Sequence, residues 1–360
     1  MSHADARLDL VTDWVTKDLR LSPRRIEPAS SDASFRRYFR VFHAGGTHIV
    51  MDAPPGREDV RPYLNVTVML ETAGVHVPRV YEWDAARGLV LMEDLGTRPY
   101  LPALRAKDDV DRLYRDALTA LADIQVRGRD SAFQLPPYDR EVLVREMALM
   151  PEWFCARHLQ LELTQAQGQM LTAAFEFLVT EALEQPQVFV HRDYHSRNLL
   201  ITQERNPGII DFQDALRGPV GYDLASLLKD CYISWPRSRV EGWVREYRLM
   251  MHERASHSAG KNDAQMLRWL DVSGVQRHLK VLGIFARLWY RDGKSGYLDD
   301  LPLTLRYLVD ACARFRPLHP LREFLAHSVV PALLQANARE AQRIAAGATC
   351  AAEACAPQPV

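Results

Sequence analysis

The stretch that most constrains this chain lies between residues 188 and 214. Two short apolar runs, Val188 to Val190 and Gly208 to Ile210, each stop at a polar group where a strand would end. The first runs into His191-Arg192-Asp193-Tyr194-His195-Ser196-Arg197-Asn198 and the second into Asp211-Phe212-Gln213-Asp214. Strands that end this way bring Asp193, Asn198 and Asp211 within reach of one another.

That trio matches a particular chemistry. A phosphoryl donor needs one carboxylate to orient the attacking hydroxyl and take its proton, and hard oxygen ligands that hold Mg²⁺ against the phosphates. Asp193 suits the first role; Asn198 and Asp211 suit the second. His-Arg-Asp followed by Asn after four residues, then Asp-Phe, is the pattern of a kinase catalytic loop and its metal aspartate. A lone His-x-Asp carries little, because Asp and Asn in loops mostly cap turns. Three polar positions at these spacings, separated by apolar strands, carry far more.

Length and charge narrow the setting. A chain of 360 residues exceeds one comfortable core and predicts two lobes. A net charge of -1 supplies no field for nucleic acid or an anionic membrane, so the expected partner is a small molecule. The five cysteines are scattered, with no Cys-x-x-Cys pair, and read as reduced cytosolic thiols. Asp5, Asp9 and Asp13 interrupt any signal-peptide core, and no stretch approaches the length of a membrane span. A cytoplasmic monomer is expected.

Along the chain, residues 5 to 20 carry Leu8, Val11 and Val15 at helical spacing. A small polar loop, Ser30 to Ser34, then feeds an alternating strand that turns at Gly45-Gly46 and returns from His48 to Met51. Loops of small residues bring backbone N–H groups to phosphates, and the hydroxyls of Ser31 and Ser34 add donors. Arg36, Arg37 and Arg40 are candidates to pair with phosphate, whichever of them faces inward. A helix over 58–73 precedes a second hairpin, whose return strand, Leu89 to Met92, runs into Glu93-Asp94-Leu95-Gly96. That segment resembles a hinge between lobes, with backbone groups suited to bond an adenine edge. From residue 107 onward the chain is mostly helical, with helices over 107–126, 139–158, 164–183, 239–256, 264–290, 302–313 and 319–344. Asp223 reads as the cap of a helix opened by Gly218-Pro219-Val220-Gly221. The pattern gives an α+β chain: a β-rich nucleotide-binding lobe over 1–96, a helical lobe over 97–345 and a mobile tail over 346–360.

These motifs, over about residues 10 to 330, resemble the aminoglycoside phosphotransferase family, small-molecule kinases of bilobal protein-kinase-like fold. A narrower likeness, to the amino-sugar kinases of cell-wall recycling within it, rests on several stretches: Ser31 to Tyr38, Met51 to Pro55, Leu91 to Gly96, Asp230 to Pro236 and Gln276 to Gly283. The resemblance implies ATP and Mg²⁺ as cofactors, with Asp193 as catalytic base, Asn198 and Asp211 as metal ligands, and Glu93 and Leu95 as adenine anchor. It implies that His191 braces the loop, that His195 is a candidate for substrate contact, and that the acceptor is the anomeric hydroxyl of N-acetylmuramate or N-acetylglucosamine.

One departure stands out. Met51 occupies the strand position where the broader fold keeps a Lys on the α and β phosphates, and the helix at 58–73 offers Leu64 or Asn65 where the partner Glu of that Lys would lie. Arg36 or Arg40 is expected to meet the phosphate charge instead. The same departure leaves open a nucleotide-binding pseudokinase, against which stands the intact trio Asp193, Asn198 and Asp211. For the acceptor, aromatic and guanidinium groups at Tyr232, Trp235, Arg287 and Tyr290 suit a sugar bearing a carboxylate better than a polycation. A kinase of choline, homoserine or an aminoglycoside is the alternative that fold alone leaves open.

Overall fold

The computed structural model describes residues 5–31, 35–254 and 257–354, the side chains of 30, 31 and 343–354 excepted. The chain divides into two units, one of residues 1–137, 186–228 and 235–266, the other of 138–185, 229–234 and 267–360.

The first unit is built on an antiparallel sheet of β1 (Arg25–Ser31), β2 (Arg37–His43), β3 (Gly46–Asp52), β4 (Val80–Asp84) and β5 (Leu89–Glu93), in the order β1-β2-β3-β5-β4. Alternation along the strands decides which face each residue serves. Phe39, Val41, Val50, Leu89 and Leu91 lie on one face and pack with Val11 of helix α1 (Ala6–Asp13) and with Trp14 and Val15 just after it. Each large side chain so buried contributes roughly 1.5–3 kcal/mol. Tyr38, Arg40, Ile49 and Met92 lie on the other face. The β4–β5 turn closes at Gly88 (φ +72°), where a Cβ would stand 1.9 Å from the carbonyl oxygen of Ala53, so no larger residue fits.

Both hairpins fall where the pattern expects them, but β1 replaces part of the expected polar loop. Its sequence Arg-Ile-Glu-Pro-Ala-Ser-Ser has few strand-forming side chains, and its pairing with β2 slips between Pro28 and Ser30. Pro lacks a ladder donor and is tolerated because β1 is an edge strand.

Helix α2 (Arg61–Thr72) follows β3 and buries Tyr63, Val66, Thr67 and Leu70. After β5 come α3 (Tyr100–Arg105) and α4 (Val110–Arg127); α4 buries Val110, Leu113, Tyr114, Ala117, Leu121 and Ile124, the stripe read from its 3.6-residue period. Two short ladders then carry the polar loops: β6 (Gln187–Val190) with β9 (Leu216–Pro219), and β7 (Leu199–Leu200) with β8 (Gly208–Ile209). A buried helix, Gly221–Leu228, and a longer one, Arg237–Glu253, complete this unit's regular structure.

The second unit is helical. Gly283 allows a close crossing there: a Cβ would meet the carbonyl carbon of Leu149 at 2.3 Å. The Gln276 to Gly283 stretch is largely buried and polar. Lys280 pairs with Glu146 at 3.2 Å, Gln276 donates to Tyr138 and Glu146 at 3.3 Å, and His278 Nε2 donates to the carbonyl of Lys229 at 2.9 Å. Buried charges survive only when paired in this way. The last helix runs Val330–Ala354, so it takes in the first part of the expected tail; residues 355–360 lie outside the described residues.

Candidate active site

β6 delivers the chain into the loop at His191. There the fully buried carboxylate of Asp223, on helix Gly221–Leu228, accepts the backbone N–H of His191 at 2.6 Å and of Arg192 at 3.0 Å. Arg192 sits at φ 78°, a left-handed conformation that costs a non-glycine residue about 1–3 kcal/mol and persists only where surrounding contacts over-determine it. The sharp turn that follows is closed by His195 N–H to the carbonyl of Asp193 (3.0 Å) and by Asn198 N–H to that of His195 (2.9 Å). His191 Nδ1 accepts the N–H of Asp193 at 3.3 Å. Burial pushes the His191 imidazole down to about 4, so it is neutral and serves as an acceptor inside the loop.

The β7–β8 ladder brings Asn198 to Asp211. The Asn198 amide donates to the carbonyl of Asp193 at 3.0 Å and to Asp211 Oδ2 at 3.2 Å, which ties all three polar positions into one cluster. Asp211, like Arg192, is left-handed (φ 65°). Gln213 donates to Asp211 Oδ1 at 2.9 Å and to Asp214 at 3.1 Å. The guanidinium of Arg36, immediately before β2, comes to 3.6 Å from Asp211 Oδ1.

Asp211 and Asn198 offer hard oxygens, the carboxylate of the one and the amide oxygen of the other, and these are the residues that would hold Mg²⁺ were it bound. Among the described residues no group of three or more His, Cys, Asp and Glu gathers as a self-sufficient metal cage.

Beside this cluster lies a pocket of about 410 Å³, within the range of small-ligand sites. Its walls include Tyr38, Ile49, Tyr63, Met92 and Leu200, its rim Glu93, Asp94 and Leu95, and its floor Asn198 and Asp211. Arg40 also lines it, but its fork is engaged: Nε and Nη2 donate to Asp94 at 2.6 and 3.0 Å, and Nη2 to the carbonyl of Gly96 at 3.2 Å. Arg40 therefore braces the segment after β5, while Arg36 reaches the carboxylate at the floor. Met51 is buried at 1% exposure in its strand, and α2 turns Tyr63 inward together with Val66, Thr67 and Leu70; the Tyr63 hydroxyl donates to Met92 Sδ at 3.1 Å. Asn65 is exposed. Neither Met51 nor Leu64 and Asn65, the positions expected for the Lys and its Glu partner, supplies an ion pair.

Of the other candidates, Ser31 ends β1 with its side chain outside the described residues, as is the whole of Ser34. His195 is buried within the loop that carries Asp193. Trp235, in the same unit, donates its indole N–H to Tyr114 at 2.7 Å and lies under the Arg239 guanidinium at 4.9 Å. Tyr232, Arg287 and Tyr290 belong to the second unit. There the Tyr290 hydroxyl donates to Glu340 at 2.9 Å, Tyr232 lies 6.1 Å from the Phe285 ring, and Arg287 keeps a buried Nε with no hydrogen-bond partner. Arg291 is engaged with Asp292 at 2.7 and 2.9 Å.

Sequence reasoning missed three participants. Asp223 caps the loop that carries Asp193; the clue was an acid in the otherwise mostly apolar, fully buried run Tyr222 to Leu228. Gln213 gave no signal beyond standing two residues from Asp211. Tyr63 lies on the buried side of α2, and no pattern distinguishes a core tyrosine from one lining a pocket.

The sequence profile of the phosphotransferase enzyme family matches residues 25–259. A curated protein of Pseudomonas aeruginosa, named N-acetylmuramate/N-acetylglucosamine kinase, is 45% identical over 335 residues, covering 89% of this chain and 97% of its own length. A protein of the same name from Neisseria meningitidis is 42% identical over 309 residues, covering 84% of this chain and 90% of its own length. Among solved structures, a Plasmodium vivax ethanolamine kinase superposes with a TM-score of 0.60 at 11% identity (82% of this chain, 84% of that one). A choline kinase from Streptococcus pneumoniae gives 0.58 at 12% (85% and 100%), and an ADP-bound aminoglycoside phosphotransferase 0.54 at 16% (85% and 99%). At such identities the superpositions speak for the fold alone, and they agree with the α+β, protein-kinase-like expectation.

Proposed function

The chain belongs to the phosphotransferase enzyme family, and from that premise we propose that it transfers the γ-phosphoryl group of ATP to the anomeric hydroxyl of N-acetylmuramate and N-acetylglucosamine. The observation that carries the acceptor is the 45% identity, over nearly the whole of both chains, to a kinase of that name. What carries the reaction type is the cluster of Asp193, Asn198 and Asp211 beside a pocket of nucleotide size.

In this reading residues 1–96 form the nucleotide-binding lobe and 97–345 carry the catalytic loop and the sugar contacts. Adenine enters the pocket between Ile49, Met92 and Leu200, with its polar edge on the backbone of Glu93 and Leu95. Ser31 and Ser34 are the proposed hydroxyl donors to the phosphates. Asp193 accepts the proton of the anomeric hydroxyl as its oxygen attacks the γ-phosphorus, with His191, neutral and buried, fixing the loop that presents it. Mg²⁺, held by Asp211 and Asn198, neutralises charge on the phosphates when bound. Gln213 orients Asp211 for that task. Arg36 meets the phosphates in place of the lysine that Met51 displaces, and Arg40 keeps the Asp94 to Gly96 turn in shape. On the acceptor side His195, Tyr232, Trp235, Arg287 and Tyr290 remain the proposed contacts, Arg287 for the lactyl carboxylate.

A cytoplasmic monomer that returns cell-wall amino sugars as 1-phosphates completes the proposal. Cys155, Cys231 and Cys312 are buried thiols pushed up by burial to about 12, 11 and 12, which makes them unreactive, and they take no part in the chemistry. No helix of the described residues is long and apolar enough to cross a membrane. The test is a panel of N-acetylmuramate, N-acetylglucosamine, choline and an aminoglycoside, each incubated with ATP and Mg²⁺ and followed by phosphorus NMR. An acid-labile sugar 1-phosphate from the two amino sugars is expected; phosphorylation of choline or the aminoglycoside alone would overturn the acceptor.

A further inference from the structure

Asp52 is fully buried at the end of β3, and nothing in the proposed chemistry uses it. It shares a sheet face with Val50, which packs against the α1 side, whereas Ile49, of opposite parity, lines the pocket. A carboxylate so enclosed is costly unless its charge and lone pairs are met. Two guanidinium forks meet them. Arg7 of α1 donates through Nε to Asp52 Oδ1 at 2.9 Å and, with Nη2, also to the carbonyl of Arg87 at 2.9 Å. Arg37, paired with Asp52 across the β2–β3 ladder, donates to Oδ2 through Nε at 3.2 Å and Nη2 at 2.9 Å. Arg37 also reaches Asp5, the residue whose carboxylate caps α1.

The consequence lies one residue earlier. Arg37, Phe39 and Val41 face α1, and Tyr38 and Arg40 face the pocket. With Arg37 locked to the α1 face by a buried acid, the backbone at the start of β2 can turn Arg36 only to the opposite side, where its guanidinium stands 3.6 Å from Asp211. We propose that Arg7 and Asp52 are positioning residues of the nucleotide site: the helix α1 side of the sheet holds Arg37, and through it the phosphate contact of Arg36. This rests on the reading of Arg36 as the phosphate cation. It makes the first helix part of the donor site, although no residue of α1 lines the pocket.

The test compares Arg7→Met, Arg36→Met and the double variant in the full-length chain, by steady-state kinetics for ATP and sugar and by calorimetric titration with ADP. Arg7→Met should raise KM for ATP and Kd for ADP about five- to tenfold and leave KM for the sugar within about twofold, the size of effect expected when a charge-assisted contact is misplaced. The double variant should be no worse than Arg36→Met, because both changes remove the same contact. If Arg7→Met does not fold, Arg7→Lys, which keeps a charge on Asp52 without the fork, should show a smaller rise in the same constants. Constants for ATP and ADP unchanged in the Arg7 variants, a multiplied effect in the double, or an equal rise in KM for the sugar would overturn the proposal while leaving Arg36 its role. Constants unchanged in Arg36→Met would remove that role, and this proposal with it.

Discussion

The guanidinium of Arg36, the residue before β2, stands 3.6 Å from Oδ1 of Asp211, while Met51 lies buried in β3. Arg36 is itself only 10% exposed, which shields the interaction from water and salt. Arg36→Met should raise KM for ATP by about tenfold or more, and Arg36→Lys should recover part of the loss, because a point charge replaces a fork at a phosphate. Steady-state kinetics against ATP at saturating sugar would show it.

Asp223 is the keystone of the loop. Its removal leaves the N–H groups of His191 and Arg192 without their acceptor, at about 1–3 kcal/mol each, so Asp223→Ala should lose about 2–6 kcal/mol of stability in urea denaturation. A loop released by this amount misplaces Asp193, and kcat should fall about a hundredfold at temperatures where the variant remains folded.

The pH dependence of stability has a defined sign. Burial holds His191 at about 4 and His278 at about 3, against an ordinary 6.5. Below pH 6.5 the unfolded chain therefore binds up to two more protons than the folded one. Stability from these groups is complete above 6.5 and falls as pH drops toward 4, by up to about 2.7 kcal/mol per pH unit for the pair. Urea midpoints measured from pH 7.5 to 5 should show this decline, and His278→Gln should reduce its slope by about half.

Arg287 carries the proposed discrimination between the two sugars. Burial and the neighbouring Arg291 push its guanidinium below its ordinary range, and its Nε lacks a partner, so a carboxylate would be well received there. Arg287→Ala should weaken kcat/KM for N-acetylmuramate about tenfold or more and leave N-acetylglucosamine nearly unchanged, whereas Arg291→Ala, which frees only Asp292, should alter neither. Equal losses on both sugars would remove Arg287 from carboxylate recognition.

The juxtaposition of Asp193, Asn198 and Asp211 was legible because these residues are few, chemically specific and close in sequence, within 19 positions. The departure at Met51 was legible for the same reason, as a residue of the wrong chemistry in a known slot. Contacts made at long range were not. Asp223 accepts from residues 31 and 32 positions away, and Asp52 from one 45 positions away, distances over which no periodicity speaks. Strand β1 escaped because an edge strand with a proline and an irregular ladder lacks the alternation that identifies a strand. The choice between Arg36 and Arg40 needed coordinates: both have the parity to face the pocket, and only the position of Asp94 commits Arg40 elsewhere.

The central claim is that Asp193 takes the proton as an amino sugar attacks ATP. Phosphorus NMR of N-acetylmuramate with ATP and Mg²⁺, run with the wild type and with Asp193→Asn, tests it most directly. The account predicts a sugar 1-phosphate resonance with the wild type and a rate lower by about 10²–10⁴-fold with Asp193→Asn at unchanged ADP affinity. An Asp193→Asn variant that forms the same product at the wild-type rate, or a wild type that forms none, would contradict it.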